Sequence, residues 1–107
     1  MIRHIVTWRL SAEDAAQRAA DAAGIAQRLE ALRGVVAAES IEVGVDLAET
    51  AGNWHVVLVS DFATREDLAA YQAHPQHQEA AGFIRSVVDA RSCVDYEFEE
   101  PAAPRVP

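Results

Sequence analysis

The sequence predicts one α+β domain of order βαββαβ, an antiparallel four-stranded sheet carrying helices on one face. Three observations predict it. Four stretches alternate with a period of two, the segments after the first and third of them carry a helical period behind capping residues, and the third strand is apolar on both of its faces. A chain of 107 residues gives room for one core and little more. We assign the domain to residues 1–98 and a tail to 99–107.

The first strand covers residues 2–9, with Ile2, His4, Val6 and Trp8 on one face and Ile5 and Thr7 on the other. At Ser11 the period changes. Ser11 and Asp14 stand three residues apart, like a capping box, and predict a helix running to about Arg33, with Gly34 as its stop. Its apolar stripe is Ala15, Ala19, Ala22, Ala26 and Leu29, joined by Ile25 and Leu32. Such small residues either bring the helix close to the sheet or leave space for a ligand. A second strand, about Ala38 to Val45, alternates Ile41, Val43 and Val45 against Glu42 and Gly44, and a polar loop from Asp46 to Asn53 follows.

The third strand, Trp54 to Phe62, reads as covered on both sides. Two helices cover only one face of a small sheet, so the other face needs a partner, most simply a second copy of the chain. A homodimer through the sheet face is therefore expected. Thr64 followed by Asp67 starts the next helix, which Pro75 ends at His74. Proline is tolerated in a first helical turn, so one or two short helical pieces run from Pro75 to about Val88, with Gly82 as the candidate break. The last strand, about Arg91 to Phe98, puts Val94, Tyr96 and Phe98 on one face and Cys93, Asp95 and Glu97 on the other. The residues from Glu99 onward include three prolines and are expected to be disordered.

Composition excludes several function classes. Seventeen acidic residues stand against nine basic ones, a formal charge of -8, and no basic run tracks a phosphate backbone, so nucleic acid is not an expected partner. The apolar runs fall short of the roughly 18 to 20 residues of a membrane span, and no secretory leader pattern opens the chain; a soluble, cytoplasmic protein is expected. Cys93 is the single cysteine, which rules out an internal disulfide and reads as a small half-buried strand residue. Four histidines invite a metal reading, but no His-x-x-x-His pair lies on one helix, and neither a metal nor a cofactor is expected.

The segment Tyr71-Gln72-Ala73-His74-Pro75-Gln76-His77 packs three proton-exchanging side chains into seven residues around a proline. Counting Pro75 as the first helical position puts His77 in the first turn, where the positive end of the backbone dipole disfavours the imidazolium and keeps a base available near pH 7. Tyr71 lies across the proline break, and helical periodicity does not place it relative to His77. Each residue also has a structural reading: a core tyrosine with its hydroxyl satisfied, a helix terminus at His74, a surface histidine at position 77. Asp95 and Glu97 read as structural or solvated.

That segment, the opening Met1-Ile2-Arg3-His4-Ile5-Val6 and the closing Val94-Asp95-Tyr96 together resemble the stress-responsive dimeric α/β-barrel (Dabb) family over nearly the whole chain to Phe98. The resemblance implies ferredoxin-like protomers that pair their sheets into a barrel with the helices outside. Most bacterial members that the chain resembles have no assigned reaction, whereas a plant relative is a polyketide cyclase performing an intramolecular aldol condensation. Its catalytic tyrosine and histidine match Tyr71 and His77, and its pocket histidines match His4 and His55. Val57 and Val59 join the two histidines as expected ligand-binding residues. The first helix departs from the cyclase by offering alanines where that enzyme has bulky aromatics. Three functions follow from the resemblance: a cofactor-independent cyclase or lyase acting on a polyketide-like or aromatic molecule, a non-catalytic stress-response dimer holding a small apolar ligand, or a cofactor-independent monooxygenase.

Overall fold

The computed structural model describes residues 1–99, in the order β1 (Ile2–Leu10), α1 (Ala15–Glu30), β2 (Ser40–Val45), β3 (Val56–Phe62), α2 (Arg65–Ala73), α3 (Pro75–Val87) and β4 (Val88–Glu97). The expected tail, apart from Glu99, lies outside the described residues. The strands form one antiparallel sheet in the order β2-β3-β1-β4. This is the ferredoxin-like arrangement expected from the pattern of elements.

Register decides which side chains meet the helices. Pairing of His4 with Ser60, Val6 with Leu58 and Trp8 with Val56 puts the even-numbered residues of both central strands on the helix side. There Val6, Trp8, Val56, Leu58 and Phe62 form the core with Ile25 and Leu29 of α1, Tyr71 of α2 and Ile84 of α3. The opposite face carries Ile5, Val57 and Val59, with Val94 and Tyr96 left substantially exposed, and among the described residues no helix covers it. An Arg3–Asp61 pair at 2.8 Å and an Arg9–Asp89 pair at 2.6 Å mark its margins.

Two helix boundaries differ from the sequence expectation for identifiable reasons. Asp14, not Ser11, caps α1: its carboxylate accepts from the Gln17 N–H at 2.8 Å. Ser11 is engaged elsewhere, since both its N–H and its hydroxyl donate to the Val87 carbonyl, tying the end of β1 to the end of α3. The stripe of α1 consequently begins later; Ala15 and Ala19 are exposed and Ala22, Ile25 and Leu29 are buried. The helix closes at Glu30, and turns lead to Gly34, whose φ of 76° is a conformation that glycine adopts without strain. Gly82, in turn, does not break α3, which is continuous from Pro75 to Val87. Where α1 and α3 meet, Gly24 lies so close to the Phe83 ring that a Cβ there would stand 2.9 Å from it, and the Arg28 guanidinium covers the same ring at 3.6 Å. Among the described residues no helix is long and apolar enough to cross a membrane.

Candidate active site

Two short-range devices set the site. Thr64 caps α2 by accepting from the Asp67 N–H at 3.1 Å, and α2 then carries Tyr71 into the core against Phe62, ring centroids 5.1 Å apart. At His74 the backbone turns extended, with ψ 134°, as expected of a residue preceding proline. His74 ends α2 and begins α3: its N–H donates to the Tyr71 carbonyl, and its Nδ1 accepts from the Gln76 N–H at 3.1 Å. Pro75 takes the first helical position, where a missing N–H costs nothing. His77 follows in the first turn, its ring 4.4 Å from that of Tyr71 between centroids.

The structure thus brings His4, Tyr71 and His77 together. All three line a cavity of about 630 Å³ between the helices and the sheet, with Trp8, Leu58 and Ile84 among its apolar walls. That volume lies within the usual range of small-molecule sites. The helix–sheet space is therefore open, where an alanine-rich α1 left close packing and an open pocket both available.

Tyr71 is 1% exposed, and its hydroxyl is the one buried side-chain polar atom among the described residues without a hydrogen-bond partner. Natural structures leave few such groups unsatisfied, because each costs about 1–3 kcal/mol. Burial pushes its pKa up to about 12, against the opposing charge of Arg91, so at neutral pH it is a proton donor. His77 is half-buried. Its Nδ1–H donates to the Gln72 carbonyl at 3.1 Å, which fixes the tautomer and leaves the lone pair on Nε2. Burial lowers its pKa, the Gln72 carbonyl opposes that shift, and the charges of His4, Arg91 and Arg85 add to the lowering. A neutral imidazole and a protonated phenol therefore share one largely apolar cavity.

Two further residues approach His4 that strand spacing alone did not flag. Asp95 accepts at its Oδ1 from His4 Nδ1 across 2.5 Å, and the Cys93 sulfur lies 3.5 Å from the same nitrogen. The β1–β4 register opposes Asp95 to His4 and Cys93 to Val6, so all three share the helix side. Burial, then the nearby Asp95 carboxylate, pushes the Cys93 thiol up. Nitrogen, sulfur and oxygen atoms lie here within 4.8 Å of one another, and with the Nδ1 proton donated to Asp95 they form a hydrogen-bonded cluster.

His55, Val57 and Val59 are not in the cavity. Val56 faces the helices, so the odd-numbered neighbours face the other way. His55 works at the strand end instead: its N–H donates to the Trp8 carbonyl and its Nδ1 accepts from the Leu10 N–H, each at 2.9 Å. It borders a shallow groove with Thr7, Gly44 and Val57. The expectation that it shares a pocket with His4 is corrected by this register.

Fold and site together define a ferredoxin-like protomer with a His/Tyr-lined cavity under its helices. The chain belongs to the family of the stress responsive A/B barrel domain, whose model matches residues 2–98. No curated protein matches it. Among solved structures, a dimeric protein of unknown function from Bacteroides fragilis is similar at 29% identity, covering 91% of this chain and 95% of that one with a TM-score of 0.82. A dimeric ferredoxin-like protein of unknown function from Thermobifida fusca shares 26% identity over 91% of this chain and 90% of that one, TM-score 0.76. The hydroxynitrile lyase of Passiflora edulis shares the fold at 18% identity, over 95% and 96% of the two chains, TM-score 0.73.

Proposed function

We propose that the chain is a cofactor-independent lyase or cyclase acting on a small polyketide-like molecule, with His77 as base and Tyr71 as oxyanion donor. One observation carries the reading: an unpartnered buried tyrosine hydroxyl stands beside a neutral histidine in an open apolar cavity. In the reaction, His77 Nε2 removes a proton from carbon next to a carbonyl, and the carbanion attacks a second carbonyl of the same molecule, forming a carbon–carbon bond. Tyr71 donates a hydrogen bond to the carbonyl oxygen on which negative charge grows, and the imidazolium then returns its proton to that oxygen. Tyr71 lies where a donor in low dielectric is strongest, and its raised pKa keeps the proton on it. Incubating linear poly-β-ketones with wild type and with His77→Ala tests this: cyclised product should depend on His77. Equal turnover by both proteins would remove His77 from the role, and binding without turnover by either would make the chain a ligand-binding protein.

The active form in this reading is a homodimer built on the open sheet face. The uncovered apolar residues Ile5, Val57, Val59 and Val94 support it, as do the dimeric relatives. Val57 and Val59 are then interface residues. A carboxylate introduced by Val59→Asp would be buried unpaired against the partner, so light scattering should show the mass falling from dimer to monomer; an unchanged dimer would place the interface elsewhere.

A further inference from the structure

All nine basic side chains are arginine, and eight of them, all but Arg105, fall among the described residues. Six of the eight are engaged. Arg3, Arg9 and Arg65 pair with Asp61, Asp89 and Glu97. Arg18 donates to the Ala12 and Glu13 carbonyls, Arg28 to the Gly24 carbonyl while covering Phe83, and Arg33 to the Ile41 carbonyl. Among the described residues Arg85 and Arg91 make no ion pair, although Arg91 neighbours the Cys93 thiol, and both line the cavity that holds Tyr71 and His77. The carboxylate near them, Asp89, is held by Arg9 at 2.6 Å.

Charge makes that coincidence informative. A chain of formal charge -8 repels anions over most of its surface, whereas two unneutralised guanidinium groups at one cavity reverse the field locally. They come from different elements, Arg85 from α3 and Arg91 from β4, and so reach the cavity from two sides. The charge of Arg91 is felt inside, where it favours the ionised Tyr71 oxygen and disfavours the protonated His77.

We propose that the cavity selects an organic anion, an apolar body bearing a carboxylate that Arg85 and Arg91 hold while the body lies against Trp8, Leu58 and Ile84. Planar guanidinium groups suit a carboxylate, which accepts two parallel hydrogen bonds. This selection rests on reading the cavity as a ligand site, and adds to it the chemical class admitted.

Decanoate and 1-decanol, matched in chain length and used below their aggregation limits, separate the two ideas in calorimetric titrations of the full chain. Decanoate should bind at least ten-fold more tightly than decanol, with an affinity that falls as sodium chloride is raised. Arg85→Gln and Arg91→Gln should each narrow the gap and together close it, with decanol binding unchanged. Both arginines are exposed, so the variants should fold; circular dichroism checks it. Equal binding of the two ligands to wild type, or a preference surviving the double variant, would overturn the anion selection and leave the cavity reading standing. Binding of neither ligand would overturn both.

Discussion

Tyr71→Phe should make the protein more stable and, as an enzyme, nearly inactive. The hydroxyl is buried without a partner, and an unsatisfied group of that kind costs about 1–3 kcal/mol, so removing one oxygen from an otherwise unchanged ring relieves the cost. A gain of about 1 kcal/mol would raise the melting temperature by roughly 4–8 °C in a domain of this size. Loss of an oxyanion donor lowers turnover by about 10²–10³-fold. The opposed signs are diagnostic. A core tyrosine with its hydroxyl satisfied would lose stability or stay level on losing it, and turnover would not move. Thermal unfolding and single-turnover rates on the same preparation decide between these outcomes, and a destabilised Tyr71→Phe with unchanged turnover would end the oxyanion assignment.

His77 should titrate below its ordinary value of 6.5, and the rate should follow it. Burial is the main cause, opposed in part by the Gln72 carbonyl. A depressed histidine is neutral at pH 7, so kcat/KM should be flat there and fall in acid as the imidazole takes a proton. The alkaline limit lies far off, since Tyr71 holds its proton up to about 12. For stability the sign is the same. Between the folded pKa and the unfolded one the unfolded chain binds more protons, so the stability contributed by His77 is complete above about 6.5 and is lost as pH falls through the folded value. Ring proton shifts followed by NMR give the midpoint of His77 directly. A midpoint at or above 6.5, or a kcat/KM that holds level through it, would contradict its role as the base.

These expectations lean on a segment whose local structure was legible. Thr64, Asp67 and Pro75 act through neighbours in sequence, and α2 and α3 begin where those residues place them. Ser11 was equally plausible as a cap and is not one, because a residue distant in sequence, Val87, takes its hydrogen bonds. His55 shows the sharper limit. With both faces of β3 apolar, periodicity gives the alternation but not which set of residues meets the helices, and a shift of one residue exchanges them. His4 escaped that ambiguity because Ile2, Val6 and Trp8 are the heavier face of β1. Asp95 and Cys93 met His4 through the β1–β4 register, which no local signal encodes.

His74 closes one helix and opens the next, and it does so with its own backbone and ring. The tyrosine before it and the histidine after it are therefore mounted on a single bracket whose shape is set by local hydrogen bonds and the proline. A bracket of that kind spares the bound molecule the cost of assembling the site on arrival, so affinity spent on the body of the ligand remains available for the step that follows. It also makes the seven-residue stretch portable. Cavities of different lining, built under the same sheet, can keep one tyrosine–histidine pair while exchanging the walls around it.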